Sequence, residues 1–143
     1  MKGRLEGKIA IVIGAARGIG AGIAELFLAE GAKVVIGDTE AGTGLATAAR
    51  LGADFIETDI SRWDHAERIV AEAVARHGTL DIMVQNAGIF PWQLIEKTAP
   101  EEWDRVMAVN LRGAFLAARA ALRLSFMPSV RMLPGSTPLT VMP

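Results

Sequence analysis

Short runs of aliphatic and β-branched residues alternate along this chain with longer segments whose apolar residues return every three or four positions. Ile9–Ile13, Lys33–Ile36, Asp54–Glu57 and Leu80–Val84 read as strands. Most are apolar on both faces, as strands buried inside a parallel sheet are. Helices are predicted between them at Gly18–Glu30, Gly42–Leu51 and Arg62–His77. The third repeats at helical period through Ala66, Ile69, Val70, Ala73 and Val74, with Ser61 as expected N-cap and Gly78 as its stop. A fourth helix opens at Thr98-Ala99-Pro100-Glu101, a capping-box spacing with proline in the first turn. Trp103, Val106, Met107, Leu111 and Ala114 fall on one face of it. The βαβα succession predicts an α/β fold, a parallel sheet with right-handed crossovers and helices on both sides.

The pattern breaks at Phe126. Residues 126–143 hold four of the six prolines and three of the six methionines, with Arg131 as their one charge. Pro128, Pro134 and Pro138 rule out a long helix and fit a central strand badly. The expected organisation is a folded domain over 1–125 and an irregular proline-rich tail over 126–143, whose change of character suggests a truncated or frameshifted end.

Composition narrows the function classes. The 143 residues are enough for one domain with a real core. A net charge of −1 supplies no basic footprint for nucleic acid and no polybasic membrane signal. The absence of cysteine excludes a disulfide framework, a thiolate metal site and a cysteine nucleophile, and no metal site is predicted. No apolar run approaches a membrane span, so a cytoplasmic location is expected.

The candidate chemistry begins where the first strand ends. Gly14-Ala15-Ala16-Arg17-Gly18-Ile19-Gly20 follows Ile9–Ile13 directly and leads into a helix. Glycine bends the chain between strand and helix and leaves room for a pyrophosphate to approach the backbone. The free N–H groups and dipole of the helix then favour the phosphate charge. Asp38, at the end of the second strand, lies twenty residues past Gly18, where a carboxylate accepts hydrogen bonds from the adenosine ribose. It would repel a 2′-phosphate. Arg17 pulls the other way, but Thr39 brings no second positive charge, so NAD is expected over NADP.

With these residues the chain resembles the short-chain dehydrogenase/reductase family. Further matching features are Asp59-Ile60 at the end of the third strand and Gln85-Asn86-Ala87-Gly88-Ile89 after the fourth. The last is similar to the family's Asn-Asn-Ala-Gly, with Gln85 replacing the first asparagine. Val109-Asn110-Leu111 on the fourth helix resembles the family's helix asparagine. The likeness runs from about Gly7 to about Leu124. It implies a Rossmann-like, doubly wound parallel sheet of about four βα units in the order 3-2-1-4, and an NAD(H)-dependent oxidoreductase acting on a small carbonyl or alcohol.

The implied cofactor residues are Gly14, Arg17, Gly18, Ile19, Gly20, Asp38, Thr39, Asp59, Ile60, Asn86, Ala87, Gly88 and Val109. Asn110 is the one catalytic position carried over, as holder of a relay water in the family. Its spacing puts it on the core face of the helix, where a buried amide must find partners; a purely structural tie is the other reading. With Ser61 as the cap, Asp59 is expected to be free for the adenine. His65 and His77 are expected to be solvated, Trp103 and Phe27 to be core residues, and Trp92 to be either a wall of a substrate pocket or a packing aromatic.

The family's proton donor is a tyrosine assisted by a lysine four positions on. This chain has no tyrosine, and no lysine after Lys97. The resemblance therefore implies a truncated form that binds cofactor without turnover. The alternatives are a non-catalytic dinucleotide-binding module and a non-functional fragment. Family members are usually homo-oligomers, although the helices of that interface are expected to be largely absent here. A sheet that stops at its fourth strand would leave a raw apolar edge, with marginal stability or adventitious association as the result.

Overall fold

The computed structural model describes residues 3–125. Four parallel strands, β1 (Ile9–Ile13), β2 (Lys33–Asp38), β3 (Asp54–Glu57) and β4 (Ile82–Gln85), form one sheet in the order β3-β2-β1-β4. The parallel sheet is the one the βαβα succession predicts, and its doubly wound order is the one the family resemblance implies. Helices α1 (Gly18–Ala29), α2 (Ala41–Leu51) and α3 (Trp63–His77) make the crossovers. After β4 come a short 3-10 turn (Ile95–Lys97), α4 (Pro100–Met107), a π-helical segment (Ala108–Arg112) and α5 (Gly113–Ser125). The expected tail lies outside the described residues. Among the described residues no helix is long and apolar enough to cross a membrane.

β1 explains why both faces must be covered. Its side chains alternate across the pleat: Ile11 and Ile13 enter a core completed by Val35, Ile56, Ile69, Val70, Leu116 and Ala120, beneath α3 and α5. Ala10 and Val12 enter the opposite core with Val34, Ile36, Ala24 and Ala48, beneath α1 and α2. All five β1 residues are buried. The register pairs Ile13 with Gly37 and with Gln85, and Asp38 with Glu57, so the carboxyl ends of all four strands finish at one rim.

Several local expectations are corrected by the observed hydrogen bonds and exposure. Ser61 does not cap α3: its N–H and hydroxyl both donate to Asp59 Oδ1, at 3.0 and 2.7 Å, and α3 starts without a side-chain cap. Thr98 likewise does not cap α4, because its hydroxyl donates back to Leu94 O. Pro100 does occupy the first turn.

The histidines are not solvated. Asp59 N–H donates to His65 Nδ1 at 3.0 Å, and His77 Nε2 lies 2.8 Å from Asp54 Oδ2, with side chains only 19% and 15% exposed. Trp103 is not a core residue either, at 55% exposed, because α4 buries none of its residues fully. Phe27 does pack against the α1–α2 core. β4 begins at Ile82 rather than Leu80. Asp81 instead latches the start of β1, its carboxylate accepting from Ile9 N–H (2.9 Å) and Lys8 Nζ (3.2 Å).

That latch makes a pH prediction. The Ile9 N–H bond, aided by Lys8 and opposed by partial burial, holds the Asp81 carboxyl below the usual carboxylate range. A depressed carboxyl stabilises fully above its unfolded-state pKa, and the contribution disappears as pH falls through the lower folded value. Asp81→Ala should cost about 1–2 kcal/mol, roughly 3–8 °C in Tm, at neutral pH. The difference between the two melting curves should shrink below about pH 4 and vanish in stronger acid. A constant gap down to strong acid would rule the latch out.

Candidate functional site

At the rim where the strands end, the loops after β1, β2, β3 and β4 enclose a cleft of about 500 Å³. Ligand pockets commonly fall in this size range, and open parallel sheets bind ligands at this position. Ten of the thirteen expected cofactor residues line it. From the first two loops these are Gly14, Arg17, Asp38 and Thr39; from the other two they are Asp59, Ile60, Asn86, Ala87 and Gly88, with Val109 from the π-helical segment. Gly18, Ile19 and Gly20 do not form its wall. They open α1 beside it, Gly20 buried and Ile19 exposed.

The glycine turn is braced from three sides. Gly14 N–H donates to Gly37 O at 2.7 Å. Asn86 Nδ2 donates to Gly14 O at 2.8 Å, so this asparagine ties the β4 loop to the β1 loop instead of closing on its own backbone. Ala16 is held at both ends, its N–H donating to Asp38 Oδ2 (3.0 Å) and its carbonyl accepting from Thr47 (2.6 Å). The second Asp38 oxygen accepts from Glu40 N–H at 3.0 Å. Asp38 therefore spans the first two loops while facing the cleft. Gln85 keeps the amide function of the residue it replaces, donating to Ala87 O and accepting from Ala87 N–H.

No side chain caps α1, and Arg17 precedes it in extended conformation. The N–H groups of a helix's first turn have no intrahelical partner, so this end offers donors to an anion. At Gly18 (φ +61°) a Cβ would meet open space, which leaves the backbone approachable from outside. These features fit a dinucleotide: an uncapped helix start and an unobstructed glycine suit its pyrophosphate, and a carboxylate one loop away suits a sugar hydroxyl. Asp59 fits less simply than the sequence suggests, because Oδ1 already accepts both Ser61 bonds.

Asn110 is placed differently from its expected setting. It is exposed, not buried, and lies outside the cleft wall. Leu111, at 64% exposed, and Ala114 are exposed as well, so the face expected to be core is open on both sides of Asn110. Its amide clamps one residue of the β4 loop from both sides, donating to Ile89 O and accepting from Ile89 N–H, each at 2.8 Å. Asn110→Ala should loosen this loop, with a stability loss of about 1–2 kcal/mol and faster amide exchange at Ile89. Asn110→Asp, which keeps the acceptor and loses the donor, should fall between. Unchanged exchange at Ile89 would contradict the clamp.

Glu40, Thr58, Ser61 and Arg105 also line the cleft and were not singled out for it by sequence reasoning. Thr58 is buried, its hydroxyl bonded to Ile56 O. Arg105 is held in a two-pronged ion pair with Glu102, a spacing of three on a helix that the sequence could have signalled. Trp92, 92% exposed, makes an edge-on contact with Phe90 at 5.2 Å in the loop beyond the rim, and is no core aromatic.

A doubly wound sheet with a cleft at its strand ends defines the class, and similarity to known proteins defines the family. A family model for short chain dehydrogenases matches residues 8–130, and the chain belongs to that family. It is 47% identical over 127 residues to tropinone reductase-like 2 of Erythroxylum coca, covering 85% of this chain and 46% of the relative. It is 43% identical to a 3-alpha-(or 20-beta)-hydroxysteroid dehydrogenase of Mycobacterium tuberculosis, covering 86% and 48%. A solved short-chain dehydrogenase/reductase from Brucella melitensis superposes with a TM-score of 0.82 at 37% identity, over 86% of this chain and 54% of that one. A 3-ketoacyl-(acyl-carrier-protein) reductase from the same organism, solved with NADH, gives 0.78 at 41% identity, over 80% and 49%. The chain spans about half the length of the curated relatives it matches.

Proposed function

We propose that this chain is the NAD(H)-holding part of a short-chain oxidoreductase, binding the dinucleotide across the rim cleft. The observation that carries the reading is Asp38, a carboxylate fixed by two backbone N–H groups between the glycine turn and the β2 loop. In this reading the first turn of α1 holds the pyrophosphate. Asp38 accepts from the ribose hydroxyls, Asp59 and Ile60 border the adenine, and Asn86, Ala87, Gly88 and Val109 line the cleft towards the cofactor's other half. Asn110 acts through the loop it clamps. When bound, the nicotinamide supplies hydride transfer to or from a carbonyl or alcohol carbon.

This chain contributes binding and orientation but no proton donor of the family's kind. It contains no tyrosine, and no lysine follows Lys97. The expected behaviour of the 143-residue protein is therefore saturable NADH binding without turnover. Titration of NADH by fluorescence, with a parallel assay against a panel of ketones, tests both parts. Ketone reduction would overturn the second part. A folded protein that does not bind NADH would overturn the first and leave a fragment without this function.

A further inference from the structure

We propose that Glu40 sets cofactor specificity by capturing Arg17: it holds the guanidinium in an ion pair and denies that cation to a phosphate on the ribose 2′-oxygen. The inference rests on the proposed binding of a dinucleotide in this cleft and goes beyond it in naming the residue that selects between two forms of the ligand.

Arg17, Asp38 and Glu40 line the same end of the cleft. Arg17 carries the cation best placed to meet a 2′-phosphate, since it stands between the glycine turn and α1. One of its guanidinium nitrogens donates instead to Glu40 Oε1. The backbone of Glu40 is itself positioned, because its N–H is bonded to Asp38 Oδ1. A single carboxylate at the end of β2 thus orients the residue that ties down the arginine. The other cation in the cleft wall, Arg105, is committed to Glu102 in the same way. Among the residues lining the cleft, each arginine is already paired with a glutamate of its own chain.

The size of the effect follows from exposure. The Arg17 and Glu40 side chains are 72% and 40% exposed, and an ion pair between such groups is weak enough to be exchanged for a better anion. Glu40 is therefore a bias on specificity and no absolute barrier. It acts as a positioning residue, through Arg17.

The matched probes are ADP-ribose and ADP-ribose 2′-phosphate, titrated calorimetrically into the full chain at low ionic strength. Glu40→Gln keeps the backbone N–H and the side-chain length. It should tighten the phosphorylated probe about fivefold and change the plain probe less than about twofold. In an Arg17→Ala background the same substitution should lose most of that gain. An unchanged ratio in a variant that melts like the wild type overturns the inference. So does an equal gain without Arg17, since Glu40 would then act only as a nearby negative charge. Binding of neither probe by folded wild-type protein removes the proposed function along with the inference, whereas the first two results leave that function standing.

Discussion

Gly14→Ala is expected to unfold the nucleotide end of this protein, and Gly20→Ala to damage it nearly as much, while Gly18→Ala should fold and fail chiefly in binding. The three glycines of one turn are glycines for different reasons. At Gly14 the backbone is left-handed (φ +77°), and a Cβ would lie 2.6 Å from both Cα and N of Ala87. The methyl would meet backbone, which cannot swing aside as a side-chain tip can. The β1 and β4 loops would have to separate, stretching the Asn86–Gly14 bond. Left-handed strain costs about 1–2 kcal/mol and overpacking about 1–3 more.

Gly20 carries no unusual dihedral, but its Cβ would sit 2.1 Å from the carbonyl oxygen of Gly14 and 2.8 Å from Asn86 Nδ2. The start of α1 can approach the turn only without a side chain there. At Gly18 the backbone strain alone applies, since nothing lies within 4 Å. A methyl there projects into the space a pyrophosphate would need. Urea melts with NADH titrations separate the cases. The expected losses are about 3 kcal/mol or more for Gly14→Ala and about 1–2 kcal/mol for Gly18→Ala, with NADH affinity much reduced in the latter. A Gly20→Ala protein melting within a degree of wild type would contradict the packing argument. An undiminished affinity in Gly18→Ala would contradict the assignment of this turn to a phosphate.

What the sequence reveals and what it conceals divide along the reach of the interactions. The strands and first three helices are legible because period and turn chemistry are local, and Ile9–Ile13 flows into its glycine turn within a dozen residues. Asp38 is legible because its distance from Gly18 is fixed by one helix and one strand. Ser61 is misread as a helix cap because its partner, Asp59, is equally local and binds it better. His65 and His77 are misread because an α3 position looks polar until β3 and its loop supply Asp59 N–H and Asp54. Asn110 is misread because helical period marks a face as core only where another element covers it, and Leu111 and Ala114 on the same face are exposed too. The Arg17–Glu40 pair spans twenty-three residues and two loops, and no spacing rule points to it.

Asp38→Ala should be the most damaging single change at the cleft that leaves the core untouched. Two backbone donors, Ala16 N–H and Glu40 N–H, converge on its two oxygens at 3.0 Å. Removing the carboxylate strands both and releases the two loops that face each other across the cleft. Hydrogen bonds to a charged group are worth about 1.5–3 kcal/mol each, so losing those proposed to the ribose should weaken ADP-ribose binding by at least about a hundredfold. The cost to stability should be smaller, because solvent reaches these loops once they part. Asp38→Asn distinguishes charge from geometry. Its single carbonyl oxygen can accept from only one of the two N–H groups, and its NH₂ would face the other donor to donor. Affinity for ADP-ribose should then fall almost as far as in the alanine variant. The 2′-phosphorylated probe should suffer less in both variants, because the repelling charge is gone while Arg17 remains. Equal losses for the two probes would mean that Asp38 serves only to brace the loops and does not meet the ribose.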